Sequence, residues 1–185
     1  MNKTKDLSRQ GLVIVHTGEG KGKTTAALGL ALRAWGDGLR VLILQFIKGQ
    51  KPSGELLAIE KLAETSGEGR LTIRQGGLGF TKGGDKAEAH KEAAAQTLTM
   101  AREEISSGAW DLIILDELNY AVKFGLVELK DALNLLAKRP QNLHLVITGR
   151  DAPPEIIEAA HLVTEMKLIK HPYQQGIKAQ IGIEY

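Results

Sequence analysis

Short apolar runs recur along the chain, separated by longer stretches of mixed apolar and polar residues. GLVIVH (residues 11–16), RVLILQF (40–46), LTIRQ (71–75), WDLIILD (110–116) and LHLVITG (143–149) are of strand length and lack a clean polar alternation. Runs of this kind read as strands covered on both faces, and therefore as a parallel sheet. The segments between them read as helices over residues 24–36, about 54–65, about 86–107, 128–138 and 154–160. Asp85 followed by Glu88 resembles a capping-box start for the third helix, and Pro153–Pro154 after Asp151 suits the opening turn of the fifth. Residues 160–185 read as a sixth strand and an irregular closing tail. Strand–helix alternation in this order predicts an α/β fold: a doubly wound, mostly parallel sheet with helices on both faces.

Composition narrows the reading. A chain of 185 residues, 43% of them hydrophobic, has material for one core, so residues 1–185 are expected to form a single domain, with 1–10 a flexible N-terminal segment. The 24 basic and 22 acidic side chains leave a formal charge of +2, which gives no broad attraction to nucleic acid or anionic membrane despite the basic start at Lys3, Lys5 and Arg9. There is no cysteine. That excludes a disulfide, a thiolate metal site, an iron–sulfur cluster and a thiol nucleophile, and it suits a reducing cytosol. MNKTKDLSRQ lacks the apolar centre of a secretion signal, and no apolar run approaches the ~20 residues that span a bilayer. A cytoplasmic protein is expected.

The densest chemical signal is HTGEGKGKTTAALGLALRAW, residues 16–35. A strand runs into TGEGKGKTT and then into an apolar helix, in which Gly29 is expected to permit close packing. This is the strand–loop–helix order of a phosphate-binding P-loop. Glycines let successive N–H groups turn inward around anionic oxygens, and the helix start adds its positive end. Lys23 reaches the terminal phosphates and Thr24 offers a hydroxyl to magnesium. The general pattern G-x-x-x-x-G-K-[ST] asks for glycine where this chain has Thr17. Gly18 and Gly20 lie inside the loop, so the turn is expected to form with a shifted glycine. Glu19 and Lys21 are expected to be solvated.

WDLIILDEL supplies a second half. An apolar strand ending in Asp116–Glu117 places carboxylates at the carboxyl edge of the sheet, where Asp116 can hold magnesium directly or through water. Position alone leaves Glu117 open as a metal ligand, a base or a helix-start charge. Four further segments follow strands: QFIKGQKPSGE, RQGGLGFTKGGDK, NYAVKFGL and TGRDAPP. In an open parallel sheet these loops share one rim and should converge on a ligand. The second of them has the glycine content of a mobile lid with Phe80 as its aromatic, or of a plain surface loop. Arg150 either binds phosphate or caps a neighbouring carbonyl, and Lys48 is expected to be solvated. The five histidines are scattered, with no H-E-x-x-H helix, and there is no G-x-S-x-G elbow. Zinc and serine-hydrolase chemistry therefore have no support.

TGEGKGKTTAALGLALRA, LQFIKG, SGE, GFT, LDELNY, RP, VITGR and the ending IKHPYQQGIKAQIGIEY resemble, from about residue 11 to the end, the P-loop family of ATP:corrinoid (cob(I)alamin) adenosyltransferases. The resemblance implies a RecA-like P-loop fold. It also implies transfer of the 5′-deoxyadenosyl group of ATP to the Co(I) of a reduced corrinoid, with release of tripolyphosphate, in adenosylcobalamin synthesis or salvage.

By the same resemblance, Gly18, Glu19, Gly20, Lys21, Gly22, Lys23, Thr24 and Thr25 bind ATP, with Lys23 and Thr24 at the chemistry. Thr24, Asp116 and Glu117 hold Mg2+ or Mn2+, and Phe80 lies against the corrinoid; Arg150 is a candidate nucleotide contact from its place after the fifth strand alone. An external electron donor, a flavoprotein or flavin reductase, and a homodimer are implied as well. Relatives carry a second aromatic shortly after GFT, where this chain has Lys82. The alternative activity for such a P-loop is phosphoryl transfer by an ATPase or kinase, in which Glu117 positions water or a hydroxyl. A third reading is a nucleotide-responsive module that performs no chemistry.

Overall fold

The computed structural model of the chain describes residues 10–49, 53–65, 70–79 and 87–184. In chain order the elements are β1 (Val13–Thr17), α1 (Lys23–Gly36), β2 (Val41–Gln45), α2 (Gly54–Thr65), β3 (Leu71–Gln75) and α3 (Ala87–Ser106). They continue with β4 (Leu112–Asp116), α4 (Leu118–Lys123), α5 (Leu129–Ala137), β5 (His144–Thr148), α6 (Pro154–Glu158) and β6 (Leu162–Glu165), and a 3-10 turn follows at Pro172–Gln175. The strands form one six-stranded sheet in the order β3-β2-β4-β5-β1-β6, with every neighbouring pair parallel.

Alternation along the central strands divides the core into two layers. Leu42, Leu44, Ile113, Leu115, Leu145 and Ile147 point to one face, where they pack with Ala94, Leu98, Ala101 and Ile105 of α3, Leu118 of α4, Leu135 of α5 and Ile156 of α6. Val41, Ile43, Leu112, Ile114 and Val146 point to the other, against Ala27, Ala31 and Ala34 of α1 and Ile59 of α2. Successive strand residues face opposite sides. With both faces covered, every position must be apolar, which is why the runs carry no polar alternation. Burying such aliphatic side chains contributes roughly 1.5–3 kcal/mol each before the entropy cost of ordering them.

Five strands and five helices lie within a few residues of their expected bounds, and β6 falls inside the segment expected to hold a sixth strand. Pro154 opens α6 with Pro153 at its N-cap. Three expectations need correction or completion. Helix α1 is buried along one stripe only: Gly29 is exposed, and a Cβ there would meet nothing within 4 Å, so it serves no close packing. Helix α4, six residues long, was expected only as an unusual loop. The capping start at Asp85 lies outside the described residues, as do the N-terminal segment before residue 10, Phe80 and Lys82.

Candidate functional site

Three of the four post-strand segments reach one cavity of about 740 Å3, contributing Lys48 and Glu55, Tyr120 and Phe124, and Arg150 to its walls beside the β1–α1 loop. The described part of the fourth, residues 76–79, packs on the segment after β2 instead. Gly79 N donates to Ile47 O at 2.7 Å, and a Cβ on Gly77 would lie 2.3 Å from the Ile47 backbone.

The β1–α1 loop forms the turn despite Thr17. Gly18 takes φ 93° and Gly22 φ 101°, left-handed conformations that glycine adopts without a Cβ clash. Thr17 has a different job: its Oγ1 accepts a hydrogen bond from Ala152 N at 3.1 Å, tying β1 to the segment after β5. The loop is backed by the chain leaving β6. Gly20 N donates to Met166 O at 2.6 Å, and a Cβ on Gly18 or Gly20 would approach that same oxygen to 2.6 Å. Lys23 is 7% exposed. Its Nζ donates to Gly18 O at 2.7 Å and Gly20 O at 2.6 Å, bridging the loop from inside. Burial lowers its pKa, and the Glu117 charge opposes that shift.

Asp116 is fully buried at the end of β4, and donors surround it. Its Oδ1 accepts from Thr24 Oγ1 at 2.8 Å and Thr148 Oγ1 at 2.7 Å, and its Oδ2 from Gln45 Nε2 at 3.0 Å. Gln45 Oε1 in turn accepts from Gln75 Nε2 at 3.0 Å. A buried carboxylate is tolerated when its lone pairs are met in this way. The strand order makes the arrangement possible, because β2, β4 and β5 are neighbours. Gln45 and Thr148 escaped the sequence reading, although each is the polar residue that ends a buried strand.

Glu117 sits in the left-handed region at φ 61°, a conformation that costs a non-glycine residue energy. Its N–H donates to Thr148 Oγ1 at 2.8 Å, and its side chain lines the cavity. It is the N-cap of α4, so it stands at the helix start as one alternative has it, but its side chain makes no cap hydrogen bond. Burial first, then the Asp116 charge, raises its pKa, while Lys23 opposes the shift.

Among the described residues no group of three or more His, Asp or Glu side chains is placed to hold a metal ion. The site instead offers one hydroxyl and two carboxylates, an all-oxygen partial shell. That set fits Mg2+ or Mn2+, which are commonly bound by one or two carboxylates together with waters and substrate phosphates.

Glu19 and Lys21 are exposed as expected, yet each is paired. Glu19 Oε2 accepts from Arg150 Nη1 at 2.9 Å, so Arg150 pairs across the loop. Lys21 pairs with Glu184 of the closing tail, and Lys48 pairs with Glu55. Thr25 lines the cavity as expected.

A glycine-cradled loop between a central strand and a helix, with a buried lysine and a Thr–Asp pair beneath it, defines a P-loop nucleotide-binding protein. A family model described as ATP:corrinoid adenosyltransferase BtuR/CobO/CobP matches residues 9–185. The chain belongs to that family, and it is an enzyme of that class. It is 41% identical over 183 residues to the corrinoid adenosyltransferase of Pseudomonas aeruginosa, covering 95% of this chain and 84% of that one. It is 38% identical over 176 residues to the Escherichia coli corrinoid adenosyltransferase, covering 95% and 86% respectively. The corrinoid adenosyltransferase CobA of Salmonella typhimurium is 37% identical over 176 residues, with the same coverage. Among solved structures, the flagellar accessory protein FlaH of Methanocaldococcus jannaschii superposes with a TM-score of 0.52 at 14% identity, over 85% of this chain and 71% of that one. That likeness is one of fold. Among the described residues no helix is long and apolar enough to cross a membrane.

Proposed function

We propose that the chain, as a single P-loop domain, transfers the 5′-deoxyadenosyl group of ATP to the Co(I) centre of a reduced corrinoid and releases tripolyphosphate. Cobalt forms the new bond to C5′ of the ribose while the C5′–O bond breaks, and that electron pair leaves on the triphosphate. Co(I) is itself a strong nucleophile, so no side chain need act as nucleophile or base. The protein's work is alignment and stabilisation of the departing charge. Lys23 and the loop's backbone N–H groups other than that of Gly20, which is donated to Met166 O, hold the polyphosphate. Thr24, Asp116 and Glu117 would hold Mg2+ or Mn2+, which supplies further charge neutralisation. Arg150 would lend a cation to the nucleotide if released from Glu19, and Phe80 would lie against the corrinoid. An external flavoprotein or flavin reductase, a cytoplasmic setting and a homodimer complete the reading.

The observation that carries it is the Thr24–Asp116 hydrogen bond beside the Lys23 bridge, in a chain whose family match runs over residues 9–185. The phosphoryl-transfer alternative is not favoured, because the relatives described above are named as adenosyltransferases. An anaerobic mixture of protein, Mg-ATP, reduced cobalamin and reductant tests the proposal. Tripolyphosphate and the spectrum of a cobalt–carbon bond are expected. ADP would overturn the proposal in favour of phosphoryl transfer, and bound ATP with no product would leave only a binding module.

A further inference from the structure

Aromatic residues make up 4% of the chain, and among the described residues lining the cavity only Tyr120 and Phe124 carry rings. The two rings lie against each other, with centroids 4.2 Å apart and planes tilted by 31°. Tyr120 is half-buried and packs on the larger core layer, whereas Phe124 keeps 49% of its surface exposed. The structure assigns this pair to neither the phosphate cradle nor the metal carboxylates. Tyr120 lies in α4 and Phe124, four residues on, is its C-cap, a spacing that puts the two rings on one side of the helix, while Glu117 is the N-cap at its start. All three line the cavity.

The helix is held firmly. Leu118 and Ala121 are fully buried. Gly149, at φ 128°, lies so close beneath it that a Cβ would come 2.8 Å from Tyr120 N. Asn119 Nδ2 donates to Gly149 O at 3.3 Å, and Lys123 Nζ bonds Asp151 Oδ2 at 2.5 Å while lying 5.5 Å from the Phe124 ring centroid. The rings are thus set in place before a ligand arrives, which lowers the ordering cost of a contact.

From Glu117 to Phe124 the helix advances about 10 Å. A nucleotide whose phosphates lie on the loop, with its metal at Thr24, Asp116 and Glu117, must send its ribose and base away from that point. We infer that Tyr120 and Phe124 form the platform on which the adenine of ATP stacks, as positioning residues that hold C5′ at a fixed distance from the phosphate cradle. The inference rests on the proposed placement of the triphosphate. A ring on the same rigid helix as the metal carboxylate is matched to the far end of the molecule held there. Ring stacking accepts any base, so the platform governs how well a nucleoside is held more than which base it carries.

The test separates the base from its phosphates. ATP and inorganic tripolyphosphate are titrated by calorimetry into the full chain with Mg2+ and without corrinoid, so that no turnover occurs. Phe124→Ala should weaken ATP by roughly 5- to 150-fold, the range for losing one base–aromatic stack, and leave tripolyphosphate unchanged. Phe124→Tyr should restore ATP binding, and Tyr120→Phe should keep it. An equal loss for both ligands would overturn the platform by showing damage to the loop. Unchanged ATP binding would also overturn it, and a separate titration with corrinoid that Phe124→Ala weakens would give the rings to the corrin. The identity of the phosphate product, tripolyphosphate or ADP, tests the reaction separately, so failure of one reading is distinguishable from failure of the other.

Discussion

The two halves of the cavity are built on opposite terms. Around the phosphate loop, Asp116, Thr148 and Gln45 are fully buried and Lys23 nearly so, and their polar atoms bond one another or the loop backbone. Around the remainder, Phe124, Lys123, Lys48 and the tail residues Gly182 to Glu184 form a wall of one ring, partly exposed ion pairs and late-returning chain. The first half is rigid because each buried polar group would cost about 1–3 kcal/mol if its partner were lost. The second is held mostly by surface pairs of small individual worth. A reaction in which one end of the substrate stays put while the other is handed to a second substrate needs such a division. The anchored end is fixed by a satisfied polar network, and the transferred end meets surfaces that can exchange partners.

The largest effect should come from the anchored half. Lys23→Ala removes the cation nearest the departing phosphates and should lower turnover by roughly 10²- to 10³-fold, the usual loss when one donor to developing negative charge is deleted. Release of tripolyphosphate under anaerobic conditions measures it. Turnover close to that of the wild type would break the division, because the loop would then not be holding the leaving group.

Glu117 sits where the halves join. Turnover of Glu117→Gln should fall by about 10- to 100-fold, in line with lost metal coordination. Burial and the Asp116 charge hold its folded pKa above the ordinary 4.5. Between the unfolded and folded values the native state binds the extra proton, so stability declines as pH rises through that window, and the whole cost is present above it. The glutamine variant lacks this cost. In metal-free protein its Tm should exceed that of wild type at neutral and alkaline pH, and the gap should close below 4.5. Wild-type turnover should fall as acid protonates the carboxyl through its raised pKa. A variant less stable than wild type at every pH would show that Glu117 is a structural contact and not a metal carboxylate.

The same division governs what the sequence disclosed. The anchored half is local: loop, lysine and threonine are contiguous, and Asp116 ends an apolar strand, so each element carries its own signal. Gln45 and Thr148 join it only through the strand order, which brings together the ends of runs that lie far apart in the chain. A doubly buried strand that ends on a polar residue is the usable clue. Helix α4 went unseen because six residues give too little periodicity, and its start at Glu117 takes a left-handed φ that no residue preference announces. The return of the tail to Lys21 is equally non-local, and only the resemblance of the KAQIGIEY ending gave it weight. Gly29 misled because an apolar helix reads as buried all round, whereas one stripe of alanines suffices here.

Phe80→Ala should slow adenosylation by about tenfold, the scale of one aromatic contact, while ATP binding measured by titration stays near wild type. Equal losses in both would remove Phe80 from the corrinoid and place it on the nucleotide. Lys82→Trp, which supplies the second aromatic that the family resemblance implies after Phe80-Thr81, should raise the rate rather than lower it.

The smallest effect belongs to the tail. Lys21 belongs to the phosphate loop, yet its ammonium pairs with Glu184, with the side chains 46% and 15% exposed. An incoming polyphosphate must share that cation with a carboxylate or displace it. Glu184→Gln keeps the shape and removes the charge, so tripolyphosphate should bind about two- to fivefold more tightly, the modest scale of a partly exposed ion pair. Because such a pair is screened, the gain should shrink as salt is raised. Weaker binding by the variant would reverse the reading: the tail would then be holding Lys21 in its working position, and the wall opposite α4 would belong to the anchored half.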